Sequence, residues 1–139
     1  TDDSVCLLLE ADNALLTGDT ILGRGTAVIV GDDGLGSYME SLYRLKGLID
    51  EYGVQTLLPG HGPILDTPKQ TIQYYIDHRE NRLAQVRDAV EAGAARIDEV
   101  VDRVYPEVTE QLRFAALASV RAQLRYLLLL GELPEHVEI

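Results

Sequence analysis

The chain has 139 residues, enough for one ordinary domain or two small ones with a buried core. Hydrophobic residues make up 46% and charged residues 25% of the sequence, which excludes an intrinsically disordered protein. The net charge of −11 argues against sequence-independent binding to nucleic-acid phosphates, because such binding requires clustered lysine and arginine side chains.

The acidic excess is concentrated in the first half of the chain. Residues 1–66 hold 11 acidic and 3 basic side chains, whereas residues 67–139 hold 12 acidic and 9 basic ones. This distribution fits either a cation-binding region or a solvated acidic surface that aids solubility.

The single cysteine, Cys6, excludes an internal disulfide and fits a reducing, cytoplasmic compartment. It lies in an apolar run, so we interpret it as a small buried hydrophobe rather than a nucleophile. The longest apolar run, residues 126–130, is too short to cross a membrane, and no membrane partner is expected.

The first predicted elements are two strands, residues 4–10 and 14–17, joined by Ala11, Asp12 and Asn13. Asp and Asn tolerate a positive φ, so the two strands are predicted to form a β-hairpin. Both runs are almost continuously apolar, which predicts a sheet covered on both faces within a layered α/β arrangement. A glycine-rich loop follows at residues 20–36.

A helix is predicted next at residues 37–52, with Ser37 and Glu40 at capping-box spacing and Gly53 as the stop. A strand follows at residues 54–58. Further helices are predicted at residues 68–92, 97–104 and 109–130. The apolar stripes of the first two helices are Met39, Leu42, Leu45 and Ile49, and then Ile72, Tyr75, Ile76, Leu83, Val86 and Val90.

The last eight residues, 132–139, are predicted to form a short hairpin. Helices followed by a small β-ribbon are typical of a winged-helix-like domain, here residues 93–139, after an α/β domain at residues 1–92.

Two polar side chains follow predicted strands. Asp19 comes directly after Thr17-Gly18, and His61 lies in Pro59-Gly60-His61-Gly62. Since α/β folds place their sites at strand ends, and hydrolytic zinc sites use imidazole and carboxylate ligands, the pair predicts part of a metal site. Taken singly, Asp19 also fits a turn-capping residue and His61 a plain loop residue.

Other candidate residues have simpler explanations. His78 lies mid-helix and is expected to pair with a neighbouring group, and His136 is expected to be exposed. Arg24 could reach an anionic substrate but fits a solvated loop residue better. The seven tyrosines, mostly at helical positions, are expected to contribute packing.

The chain resembles the metallo-β-lactamase superfamily in two stretches, Leu15-Leu16-Thr17-Gly18-Asp19 and Leu57-Leu58-Pro59-Gly60-His61-Gly62-Pro63. Residues 75–82, 98–105 and 124–131 look like the subgroup typified by β-lactamase-like protein 2, in which a winged-helix domain follows the hydrolase fold. The resemblance implies part of an αββα sandwich and then a winged-helix-like α+β domain.

By this resemblance Asp19 would bridge two zinc ions and His61 would bind the second. The superfamily's other ligands, a His-x-His-x-Asp-His motif and one further histidine, are absent from the sequence. That histidine commonly precedes a Thr-x-x-Ser stretch, which matches residues 1–4. The chain is therefore expected to be the C-terminal half of a longer enzyme, with the missing N-terminal half as its partner. Alone, it is expected to bind zinc weakly and to be inactive.

The implied activity is that of a dinuclear-zinc hydrolase, in which a metal-bound hydroxide attacks an ester, thioester or phosphodiester. The acidic charge favours a small-molecule ester or thioester over RNA. The alternative is a non-enzymatic winged-helix module that binds nucleic acid or protein. Arg113, Arg121 and Arg125 would serve it, although their helix is rich in Ala and Leu, which favours packing.

Overall fold

The structure, a computed structural model, describes residues 4–27, 29, 34–134 and 136–139. Within these residues the chain divides into two compact units. The first is formed by Thr1–Ala27 with Ser37–His78, and the second by Val28–Gly36 with Arg79–Ile139. The domains predicted at residues 1–92 and 93–139 stay a prediction.

The described part of the first unit contains a three-stranded sheet. Strands β1 (Leu7–Leu9) and β2 (Ala14–Gly18) pair antiparallel, with Leu8 opposite Leu15. One turn of 3-10 helix and Asn13, at φ +49°, connect them. The predicted hairpin and the tolerance of Asn13 for a positive φ are thus confirmed. Strand β3 (Thr56–Pro59) then lies parallel to β2 on its other side.

Burial differs sharply between the strands. Leu15 of β2 and Leu57 of β3 are almost completely buried. Along β1, by contrast, Leu7 and Leu9 are 55% and 37% exposed, and Val5, two residues before the strand, is 67% exposed. The expectation of a sheet covered on both faces is therefore wrong for β1, which is an edge strand with one apolar face open among the described residues.

Helix α1 (Gly34–Glu51) begins three residues before the predicted start. Ser37 lies inside its first turn, where its carbonyl oxygen accepts a 2.8 Å hydrogen bond from Ser41 Oγ, so the predicted capping box is wrong. The predicted stripe is confirmed: Met39, Leu42, Leu45 and Ile49 are all buried. Gly53, at φ +59°, follows the end of the helix as expected.

Helix α2 (Pro68–Glu91) is the long helix that the periodicity predicts. All six residues of its predicted apolar stripe are buried. Gly93, at φ +90°, terminates it. In the first unit, ion pairing of Lys69 Nζ with Asp50 Oδ1 at 2.6 Å links α2 to α1.

In the second unit, helix α3 (Ile97–Val104) coincides with its prediction, and α4 (Glu110–Leu129) is one residue shorter at each end. Arg96 makes no side-chain cap. Instead, Glu99 Oε2 accepts a 2.8 Å hydrogen bond from the backbone N–H of Ala95, which secures the start of α3. None of the helices, over the described residues, is long and apolar enough to span a membrane.

The segment after α4 pairs with a different partner from the one predicted. The backbone N–H of Glu138 donates a 2.8 Å hydrogen bond to the carbonyl oxygen of Ala95, and Arg96 and Glu138 form an isolated parallel bridge. The described residues of this segment, 132–134 and 136–139, do not form the predicted hairpin, because their backbone pairs with the residues that precede α3.

Candidate metal centre

The sheet brings Asp19 and His61 to one edge. Strands β2 and β3 are parallel, and Gly18 stands opposite Pro59 at their carboxyl ends. Asp19 directly follows β2, and His61 follows β3 by two residues. Because parallel strands end at the same edge of a sheet, the two side chains that the sequence singles out lie together.

His61 Nε2 and Asp19 Oδ1 are 3.6 Å apart. This distance is too long for a hydrogen bond. Two donor atoms that each lie at bonding distance from one zinc ion, at a tetrahedral angle, are about 3.3–3.5 Å apart, close to the separation seen here. The spacing therefore fits two ligands of a common ion. Both side chains are open to solvent, with His61 80% and Asp19 50% exposed.

The main chain around His61 is held from two sides. The N–H of Gly60 donates a 2.8 Å hydrogen bond to the carbonyl oxygen of Gly18, and the N–H of Gly23 donates one of 2.8 Å to that of His61. A Cβ on Gly62 would lie 2.7 Å from Gly23 Cα, so the two loops touch through their backbones. These contacts fix the loop that carries the imidazole, although the ring itself is exposed.

Asp19 is fixed through neighbouring hydroxyl groups. Its backbone N–H donates to Ser4 Oγ at 3.1 Å, and Thr20 Oγ1 donates to the same oxygen at 3.4 Å. Thr17 Oγ1, fully buried, donates to the carbonyl oxygen of Ile21 at 3.0 Å. The role of Ser4 was not predicted from the sequence, since its contact with Asp19 spans 15 positions.

Cys6 lies beside this cluster, with Sγ 3.5 Å from the carbonyl oxygen of Thr17. Burial raises the pKa of the Cys6 thiol, and a hydrogen bond with Thr20 only partly offsets this. A raised pKa keeps the thiol neutral, and Cys6 is half-buried rather than buried as predicted.

Two tyrosines expected only to pack also make polar contacts to the loop after Asp19. Tyr38 Oη donates to the carbonyl oxygen of Thr20 at 2.9 Å. Tyr75 Oη accepts from the N–H of Leu22 at 3.0 Å and lies 2.8 Å and 2.6 Å from the carbonyl oxygens of Leu22 and Gly25. A tyrosine on a buried stripe signals some polar partner, since buried phenols usually find one.

The donors present fit a zinc ion in kind, as an imidazole nitrogen and a carboxylate oxygen. Among the residues that the structure describes, no group of three or more His, Cys, Asp or Glu side chains converges. If they bind a metal, Asp19 and His61 would supply two ligands, one fewer than the three protein ligands of a catalytic zinc site.

The remaining histidines and Arg24 lie as expected. The ring of His78 stacks on Tyr74, with centroids 6.2 Å apart and planes 26° apart, which confirms pairing with a neighbour. His136 and Arg24 are exposed.

Of the three arginines of α4, Arg113 is ion-paired, Arg125 is half-buried and Arg121 is exposed. Arg113 binds Asp102 at 2.7 Å, and this carboxylate raises the pKa of the Arg113 guanidinium. On the same helix, Val120, Leu124 and Leu127 are almost completely buried. These observations agree with packing rather than nucleic-acid recognition as the role of the helix.

Known proteins resemble the chain in sequence, although no protein-family model matches it. It is 34% identical over 131 residues to the lactamase-like protein aptB of Emericella nidulans, across 87% of this chain and 40% of that protein. It is 34% identical over 128 residues to the beta-lactamase-like protein 2 homolog of Caenorhabditis elegans, across 91% and 41%. An atrochrysone carboxyl ACP thioesterase of Aspergillus fumigatus is 38% identical over 84 residues, across 60% and 24%. The chain thus spans between 24% and 41% of the length of these relatives.

Solved structures resemble the fold over 91% of the chain. A beta-lactamase domain protein from Burkholderia ambifaria superposes with a TM-score of 0.78 at 28% identity, over 39% of its own length. A metallo-beta-lactamase family protein from Thermus thermophilus gives 0.70 at 22% identity, over 40% of its length, and supports the fold alone. These likenesses confirm the α/β fold and the resemblance seen in the motifs around Asp19 and His61. The chain belongs to the metallo-β-lactamase family.

Proposed function

We propose that the whole protein is a metal-dependent hydrolase of small-molecule esters or thioesters, and that Asp19 and His61 are two of its metal ligands. The observation that carries this proposal is the 3.6 Å approach of His61 Nε2 to Asp19 Oδ1 at the carboxyl ends of parallel strands. Two backbone hydrogen bonds hold this geometry, from Gly60 to Gly18 and from Gly23 to His61.

The proposed metal is zinc, in a site of two ions with Asp19 as the shared carboxylate. A carboxylate has two oxygens and can face two ions, whereas His61 presents the single atom Nε2 toward Asp19. When bound, zinc lowers the pKa of a coordinated water to about 7 and offsets negative charge on a substrate oxygen. The other ligands would come from elsewhere in the whole protein. The 139-residue chain by itself is expected to hold zinc more weakly than micromolar, because two ligands are too few.

The proposed substrate class rests on one named relative and on charge. The relative from Aspergillus fumigatus is named a thioesterase and matches 60% of this chain. The chain's net charge of −11 would repel a polyanion such as RNA, which makes a phosphodiester of that kind a poor substrate.

A second part of the whole protein is proposed to cover the open face of β1. Leu7 of this strand and Val5 just before it are more than half exposed, and an apolar edge strand of this kind usually has a partner. In keeping with the subgroup resemblance, residues 93–139 are proposed to be a winged-helix-like domain. Helices α3 and α4 would form its helical part, with the pairing of Glu138 to Arg96 in place of a wing hairpin.

The test is hydrolysis by the whole protein of three probes: an acyl thioester, p-nitrophenyl acetate and bis(p-nitrophenyl) phosphate. The thioester and the acetate should be cleaved faster than the phosphodiester, and a chelator should abolish cleavage. His61→Ala and Asp19→Asn should each reduce kcat/KM by more than about 100-fold. This exceeds the loss seen when a residue that only hydrogen-bonds to a metal ligand is removed.

His136→Ala is the matched control, since His136 is an exposed histidine outside the site. It should keep wild-type activity. Full activity of His61→Ala, or cleavage insensitive to chelators, would disprove the proposed function.

A further inference from the structure

Two buried tyrosine hydroxyl groups converge on the loop of residues 19–25, which we call the Asp19 loop. Tyr38 comes from α1 and Tyr75 from α2, and they are 8% and 3% exposed. Both belong to the first unit, as does the loop. Their rings fill the core, while their hydroxyl groups reach the loop backbone.

Tyr75 binds three backbone groups of the loop. Its Oη accepts from the N–H of Leu22 at 3.0 Å and faces the carbonyl oxygens of Leu22 and Gly25 at 2.8 and 2.6 Å. A phenol has one O–H, so that hydrogen is shared between the two carbonyl oxygens or alternates between them. Either way, one hydroxyl group pins both ends of the segment 22–25.

This segment touches His61 directly. The N–H of Gly23, inside the pinned segment, donates to the carbonyl oxygen of His61 at 2.8 Å. The backbones also meet where Gly62 approaches Gly23, leaving no room for a Cβ. Tyr75 therefore holds the segment whose Gly23 N–H hydrogen-bonds to the backbone of His61.

Tyr38 acts on the other side of the loop. Its Oη donates to the carbonyl oxygen of Thr20, the residue after Asp19, at 2.9 Å. Each tyrosine thus anchors the backbone next to one of the two proposed ligands. Because His61 and Asp19 are 80% and 50% exposed, side-chain packing does little to hold them and backbone anchoring must do so.

We infer that Tyr75 and Tyr38 are positioning residues, whose hydroxyl groups hold His61 and Asp19 at ligand spacing before a metal ion binds. This inference rests on the proposed function. Preorganised ligands bind metal more tightly, because less conformational entropy is lost on binding. Removing outer partners of metal ligands typically costs about 10–100-fold in metal affinity or activity.

The experiment compares Tyr75→Phe and Tyr38→Phe with Tyr74→Phe in the whole protein. Tyr74 neighbours Tyr75 in sequence and is 60% exposed, with its ring edge-on to that of Tyr75. Each variant keeps its ring and loses one oxygen. Zinc affinity is measured by competition with a chromophoric chelator, the visible spectrum of the cobalt-loaded protein reports ligand geometry, and thermal unfolding of the metal-free protein reports stability.

Tyr75→Phe should raise the zinc Kd about tenfold and shift the cobalt spectrum. Tyr38→Phe should have the same two effects to a smaller extent. The control, Tyr74→Phe, should change the zinc Kd less than about twofold. A Tyr75→Phe protein that is less stable but has wild-type zinc affinity and a wild-type cobalt spectrum would overturn the inference, since its role would then be structural only. The proposed function is tested separately: if His61→Ala binds zinc as tightly as wild type, the proposed function fails.

Discussion

The two glycines that flank His61 are required for different steric reasons. A Cβ on Gly60 would lie 2.9 Å from Asp19 Oδ1, so glycine leaves space for the carboxylate. A Cβ on Gly62 would lie 2.7 Å from Gly23 Cα, and Gly62 has a φ of +95°, which residues with side chains rarely adopt. Gly60 therefore leaves room for the Asp19 carboxylate, and Gly62 allows the turn to form.

Gly62→Ala should lower the free energy of unfolding by about 1–3 kcal/mol, because the methyl group meets backbone that cannot rotate away and the positive φ becomes strained. Urea unfolding of the chain measures this. Gly47→Ala is the control, since Gly47 lies inside α1 with nothing within 4 Å of an added Cβ. It should raise the stability by about 0.5–1 kcal/mol. Equal stability of Gly62→Ala and wild type would show that the two loops do not interlock.

At the scale of single residues, the sequence predicted Asp19 and His61 but not the groups that hold them in place. Asp19 and His61 follow apolar strands and glycine, and those signals are local. The contacts of Ser4, Tyr38 and Tyr75 depend on which loop each hydroxyl meets in the folded chain, over 15 to 53 positions of sequence. A buried tyrosine indicates a polar partner without identifying it.

At the scale of elements, the helices were the most predictable part. The stripes of α1 and α2 are buried as their periodicity indicates, because helix burial repeats every three to four residues. The start of α1 was predicted too late, since Ser37 resembles a cap in sequence but makes none. For β1, the apolar pattern predicted a strand correctly, but burial depends on what covers the strand, and a continuous apolar run does not specify that.

Leu7→Lys should reduce self-association of the isolated 139-residue chain. Leu7 and Leu9 are exposed apolar residues on an edge strand, with Val5 exposed just before it, and such rows promote pairing between molecules. Sedimentation velocity should show a shift from oligomers toward monomer, with little loss of stability, because the Leu7 side chain is already 55% exposed.

Tyr52→Lys is the matched control, as Tyr52, directly after α1, is 43% exposed and should leave association unchanged. If wild type and Leu7→Lys sediment alike, the open face of β1 is not a contact surface.

For the whole molecule, the sequence predicted family and fold together, because the motifs around Asp19 and His61 occur in the right order on strands that the structure places side by side. The course of residues 132–139 was not predictable, since their partner lies before α3, far away in the sequence. The acidic first half of the chain agrees with a cation site, and the site itself lies within that half.

The most direct test of the central claim is a zinc titration of the whole protein and three variants. Asp19→Asn and His61→Ala should each bind zinc at least about 100-fold more weakly than wild type, because each removes a donor atom from the ion. His136→Ala should titrate like wild type. If Asp19→Asn and His61→Ala retain wild-type zinc affinity, these residues are not metal ligands, and the proposed site is wrong.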